Sequence, residues 1–175
     1  PSGIGINTET SGFIANKQWY VDQWGEPYRL GFTLNSAIGQ GNTRVTLLQL
    51  GLAYAAIANG GDLYVPQLVE RVSEPDGRVI EEFEPRVRRH VEVDDESLSY
   101  IMSGLRGVVN EPDGTAYAAR IEGGVRVAGK TGTAEVSHRG VPEGEDEKRA
   151  WYWNRDHAWF VGLALTQKVL SEAGY

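Results

Sequence analysis

A chain of 175 residues with 41% hydrophobic and 23% charged residues has the composition of a folded protein, one ordinary domain or a large piece of a bigger one. Its formal charge of -7 argues against nucleic acid, because phosphate binding needs a basic stripe and the longest basic cluster, Arg86 to His90, sits among glutamates. The absence of cysteine removes disulfides, thiolate metal sites and cysteine nucleophiles. No run approaches the roughly 20 apolar residues of a membrane span, and Pro1-Ser2-Gly3-Ile4 lacks a signal-peptide layout, so any anchor or export signal is expected outside these residues.

The stretch up to about Asn42 is rich in Gly, Asn and Ser and reads as loop and irregular structure. A helix is expected from about Thr46 to Asn59. Thr46 and Gln49 have capping-box spacing, Leu47, Leu50, Tyr54, Ile57 and Ala58 share a side, and Gly60-Gly61 stops it. Tyr64 to Val72 and Arg78 to Phe83 have strand character, and Glu74-Pro75-Asp76-Gly77 between them supplies a tight turn, which predicts a hairpin.

A second helix is expected from Asp95 to Val109, because Leu98, Ile101, Met102, Leu105, Val108 and Val109 recur at helical spacing behind acidic residues. The tetrapeptide Glu111 to Gly114 repeats Glu74 to Gly77, but the flanks differ, so these are two similar turns and no repeat architecture. Gly114 to Ile121 reads as a short helix, Val125 to Val136 as a strand, 137–156 as a long, flexible, charged and aromatic loop, and Ala158 to Leu165 as an apolar strand. The order of elements predicts an α/β (α+β) fold, with the two late strands close enough to pair antiparallel.

Gly124 to Thr131 matches the nucleotide-binding pattern G-x-x-x-x-G-K-[ST] letter for letter. That loop needs a strand before its first glycine and a helix starting at Lys-Thr, so that backbone N–H groups converge on phosphate. Here Ala116 to Glu122 is more helical than extended, and the residues between the glycines alternate like a strand. On a strand, Lys130 and Gly132 share one face and Thr131 and Thr133 the other, and the missing side chain of Gly132 lets a ligand lie close against the strand edge.

Lys130-Thr131-Gly132-Thr133 resembles the Lys-Thr-Gly motif of serine penicillin-recognising enzymes, the third of three motifs around their site. Asn35-Ser36-Ala37-Ile38-Gly39-Gln40-Gly41 with the helix after it resembles the Ser-Ile-Gly-Gln-Gly segment of high-molecular-weight, class B-like penicillin-binding proteins, and Asp156-His157-Ala158-Trp159-Phe160-Val161-Gly162 resembles their late strand. The three segments stand in the family's order across about 33–165. The resemblance implies the C-terminal portion of one transpeptidase domain over 1–175, an antiparallel sheet with flanking helices. Both ends look incomplete beside the family.

The family acylates a serine with the D-Ala-D-Ala end of a peptidoglycan stem peptide and passes the acyl group to an amine; β-lactams mimic the donor and stall there. By resemblance, Lys130 holds the anionic end of donor or drug, Thr131 and Thr133 offer it hydroxyls, Gly132 makes room, and the Thr133 backbone N–H is an oxyanion donor. The nucleophile motif Ser-x-x-Lys and the second motif Ser-x-Asn occur nowhere in the chain. Tyr152-Trp153-Asn154 imitates a variant of the second motif but follows Lys130, against the family's order, and Ser36 has no Lys or His near it in sequence. Ser36 is therefore expected in a structural turn, and this chain alone is expected to be inactive.

His157 is expected to be packed rather than catalytic, and with His90 and His138 it makes no ligand spacing, so neither a metal nor another cofactor is expected. Trp151, Trp153 and Trp159 around the charged loop suit part of a binding wall, with core packing the first expectation for Trp159, which alternates with Val161 on its strand. The resemblance also implies stem peptide, β-lactams and the remainder of the domain as partners, with the parent protein on the extracytoplasmic side of a bacterial inner membrane. The competing reading is a noncatalytic penicillin-binding-like module that binds peptide or a protein partner.

Overall fold

The computed structural model describes residues 1–25, 27–122, 126–134 and 155–165. The chain divides into two compact units, Pro1–Asp95 and Glu96–Tyr175. No helix among the described residues is long and apolar enough to cross a membrane.

The first unit begins with two helices where irregular chain was expected. Helix α1, Lys17–Trp24, starts at Asn16, whose side chain accepts the Trp19 N–H at 2.8 Å. It stops at Gly25, where a φ of 64° suits glycine and the N–H donates to Val21 O. Helix α2, Leu30–Ala37, has no side-chain cap. Aromatic packing holds it instead: Phe32 stacks on buried Tyr20 at 4.2 Å and 16°, with Trp24 and Tyr28 rings at 5.3 and 5.7 Å from Phe32. Each such pair contributes about 0.5–1.5 kcal/mol beyond area burial.

Helix α3, Leu47–Ala58, forms as expected. Thr46 accepts from the Gln49 N–H at 3.2 Å and Gln49 accepts from the Thr46 N–H at 3.0 Å, a reciprocal capping box. Thr46→Ala is expected to lower stability by about 1 kcal/mol in urea unfolding, with Thr46→Ser close to neutral. Beyond Asn59, Gly60 and Gly61 carry φ of 86° and 113°. A Cβ on Gly61 would fall 2.3 Å from Val91 O, so the chain there requires glycine on both counts.

The expected first strand is divided in two. Strand β1, Asp62–Tyr64, ends before Pro66, which has no N–H for a ladder, and β2, Arg71–Ser73, starts after it. Strand β3, Val79–Glu82, pairs antiparallel with β2 across the Glu74 to Gly77 turn, where Gly77 has φ 91° and Glu74 and Arg78 form an ion pair. The basic cluster is itself a strand: β4, Val87–His90, pairs antiparallel with β1, and His90 Nδ1 lies 2.7 Å from Asp62 Oδ1.

In the second unit, helix α4, Asp95–Asn110, buries Leu98, Met102, Leu105 and Val109, while Ile101, expected in the same stripe, is exposed. Val109 packs with Ala116 and Val127. The short helix expected at 114–121 is a single 3₁₀ turn at Tyr117–Ala119. Strand β5, Arg126–Ala134, pairs antiparallel with β6, His157–Leu165, in an unbroken register from Arg126↔Leu165 to Ala134↔His157. Asn110 Nδ2 donates to Arg106 O and Val127 O, at 2.7 and 2.8 Å, and ties the end of α4 to β5. Val125, Val136 and most of the 137–156 connection lie outside the described residues. The result is an α+β chain of helices and antiparallel strand pairs.

Candidate active site

Lys130 and Thr131 lie in the middle of β5. The letter match to a nucleotide loop therefore fails on geometry, because no helix N-terminus starts at Lys-Thr to converge on phosphate.

The unbroken register preserves the alternation along β5. Val127, Gly129, Thr131 and Thr133 share one face with Ala164, Gly162, Phe160 and Ala158; Ala128, Lys130, Gly132 and Ala134 share the other with Leu163, Val161, Trp159 and His157. The first face packs against the end of α4 and the turn after it: Val127 meets Val109, and the Thr131 and Thr115 hydroxyls lie 2.8 Å apart. Phe160 folds across the Gly129↔Gly162 pair, so that a Cβ on Gly129 would stand 2.7 Å from its ring.

The second face is closed at Ala128, which is fully buried, and opens outward from Lys130 to Ala134. Lys130 is exposed and its Nζ donates to Thr131 O at 2.6 Å, which occupies one of three N–H donors. A Cβ on Gly132 would meet nothing within 4 Å. Thr133 is exposed and Thr131 half-buried. Among the described residues β5 pairs only with β6, so alternate N–H and C=O groups point to the edge away from β6. The arrangement offers a cation, backbone donors and space without a side chain, the components needed to hold an anion beside a polarised carbonyl.

Two expectations for β6 are corrected. His157 and Trp159 are exposed, not packed, and their rings stack at 6.0 Å and 12°. Period-two alternation assigned Trp159 a face, but only the pairing with β5 shows that this is the Lys130 face. Thr115, which engages Thr131, and Asn110 gave no signal, because each acts through a contact distant in sequence.

In the first unit, Ser36 sits in the last turn of α2 rather than in a turn proper. Its carbonyl accepts the Gly39 N–H at 3.1 Å, and Asn35 O accepts the Gln40 N–H at 2.8 Å. Gly39 and Gly41, with φ of 79° and 96°, reverse the chain after it. Tyr152-Trp153-Asn154, Trp151 and His138 lie outside the described residues.

Residues 1–170 match the model of the penicillin binding protein transpeptidase domain, and the chain belongs to that family. It is 31% identical over 169 residues to peptidoglycan D,D-transpeptidase MrdA of Haemophilus influenzae, covering 94% of this chain and 25% of that protein. To penicillin-binding protein 3 of Bacillus subtilis it is 32% identical over 136 residues, covering 78% of this chain and 18% of that one. Among solved structures, Pseudomonas aeruginosa PBP2 in complex with WCK 5153 superposes with a TM-score of 0.65 at 28% identity, over 93% of this chain and 34% of that one. Helicobacter pylori PBP2 gives a TM-score of 0.67 at 25% identity, over 93% and 26%. The expected penicillin-binding fold is thereby established, and the chain spans about a quarter of the length of the MrdA relative.

Proposed function

We propose that this chain is part of a peptidoglycan D,D-transpeptidase that crosslinks stem peptides through a serine acyl-enzyme and is blocked by β-lactams. The observation that carries the reading is Lys130 and Gly132 on the open face of an unbroken β5–β6 ladder, within a chain of the transpeptidase family.

In this reading a serine outside these 175 residues attacks the carbonyl of the penultimate D-alanine. The carbonyl oxygen gains negative charge, and the Thr133 N–H is one of the donors that hold it. The carbon–nitrogen bond breaks, the terminal D-alanine leaves with a proton on its amine, and an acceptor amine later takes the acyl group from the serine. Lys130 holds the terminal carboxylate, Gly132 lets the donor lie against β5, and the Thr131 and Thr133 hydroxyls complete the recognition. Thr131 does so while sharing its hydroxyl with Thr115.

The donor is a stem peptide ending in D-Ala-D-Ala, and the parent protein works at the outer side of a bacterial inner membrane. Support for the setting comes from relatives named as peptidoglycan D,D-transpeptidases.

A reporter penicillin tests this directly. The full-length parent is expected to gain the mass of one drug molecule, and the 175-residue chain, which lacks Ser-x-x-Lys, none. No adduct on the parent would favour the noncatalytic module; an adduct on the isolated chain would show that it holds a nucleophile of its own.

A further inference from the structure

The turn after α4 holds a hydroxyl against β5 that the Lys-Thr-Gly motif does not contain. Thr115 stands between two residues pinned to the end of α4. On one side the Gly114 N–H donates to Glu111 O at 2.9 Å, and a Cβ on Gly114 would fall 2.4 Å from Val108 O. On the other the Ala116 N–H donates to Val108 O at 2.9 Å, and Ala116 is buried with Val109 and Val127. Val127 shares a face of β5 with Thr131, so the turn and the strand are packed on one apolar cluster. The Thr115 backbone is thereby fixed relative to Thr131, and the two hydroxyls meet at 2.8 Å.

Neither hydroxyl has another hydrogen-bond partner among the described residues. Each carries one proton and two lone pairs, so within the pair one oxygen donates and the other accepts. The direction matters to an anion. If Thr131 donates to Thr115, it turns only lone pairs toward a carboxylate, and these repel it. If Thr131 accepts from Thr115, its own proton is left for the carboxylate, and the incoming bond polarises that proton.

We propose that Thr115 is a positioning residue of the Lys130 site: its hydroxyl donates to Thr131 Oγ and so directs the Thr131 proton at the carboxylate of the acyl donor. Thr115 acts through Thr131 and touches neither the donor nor the reacting atoms. The inference rests on the transpeptidase reading above and adds the turn after α4 to the recognition of the donor's anionic end. The bond from Thr115 is between neutral groups, so its loss is expected to cost about two- to tenfold in rate, less than loss of the Thr131 hydroxyl, which donates to an ion.

The test measures the second-order rate of acylation of the full-length protein by benzylpenicillin, with the melting temperature beside it. Thr115→Val, which keeps the branched shape and removes the hydroxyl, is expected to slow acylation about fivefold, and Thr115→Ser to keep the wild-type rate. In a Thr131→Val background, Thr115→Val is expected to change the rate by less than about twofold, because no proton remains to be directed. Thr115→Ala replaces the valine variant in the same cycle should that variant unfold. A wild-type rate in Thr115→Val, a slowing in Thr115→Ser equal to that in Thr115→Val, or a slowing that persists undiminished in Thr131→Val overturns the positioning role and leaves the transpeptidase reading standing. A wild-type protein that benzylpenicillin does not acylate overturns both.

Discussion

Lys130→Ala in the full-length protein is expected to slow acylation by a reporter penicillin by about 10²-fold, with Lys130→Arg retaining part of the rate. The size follows from the charge. Two unit charges 4 Å apart interact by about 1 kcal/mol in water and about 4 kcal/mol at the effective dielectric of a protein surface, a range of roughly five- to a thousandfold. Lys130 is exposed in the described structure, so the middle of that range is the fitting expectation. Its Nζ curls back onto Thr131 O, and a carboxylate bound beyond Gly132 competes for the same ammonium. Stability should change little, because an exposed side chain on the open face packs against no core. A variant acylated at the wild-type rate would remove Lys130 from the site.

Gly129→Ala and Gly132→Ala, three positions apart on β5, are expected to behave in opposite ways. At Gly129 the new methyl would stand 2.7 Å from two atoms of the Phe160 ring and 2.7 Å from Val161 O. The ring can swing aside at the loss of its packing over Gly162, but the carbonyl belongs to the partner strand and moves only with the ladder. Overpacking of this kind costs about 1–3 kcal/mol. At Gly132 the methyl meets open space, and replacing a strand glycine contributes about 0.5–1 kcal/mol through the unfolded chain. Thermal unfolding should show Gly129→Ala well below wild type and Gly132→Ala level with it or slightly above. Gly132→Ala should nevertheless lose acylation, because its methyl fills the space in which the donor is proposed to lie. Equal melting temperatures for the two variants would contradict the Phe160 contact.

The same pair of glycines shows where reading from sequence stops. Both are bare letters in Gly129-Lys130-Thr131-Gly132, and the motif directs attention to Gly132 alone. That Gly129 is required by packing, and Gly132 is open, follows from the placement of Phe160 across the ladder.

Elements specified by neighbours along the chain were legible. The α3 start came from Thr46 and Gln49 three residues apart, the β2–β3 turn from Pro75 and Gly77, and the α4 face from an apolar repeat, because caps, turns and periodicity are local interactions. Helix α1 was legible too, through Asn16 and Gly25, but its signals lay within a Gly- and Asn-rich stretch read as loop. Helix α2 had no such signal: it has no side-chain cap, and Phe32 stacked on Tyr20 holds it. Strand β4 was hidden because all its residues are exposed, which removes the alternation that a buried face would impose.

The sequence by itself determined the family motif on a strand, the alternation that separates Lys130 and Gly132 from Thr131 and Thr133, and the absence of Ser-x-x-Lys from these residues. Tertiary structure alone decided that Thr131 shares its hydroxyl with Thr115, that Gly129 has no room for a side chain, and that His157 and Trp159 face outward beside Lys130. The division has one physical cause. Period and capping act over a few residues of chain, whereas register and ring packing bring together groups that no local spacing relates.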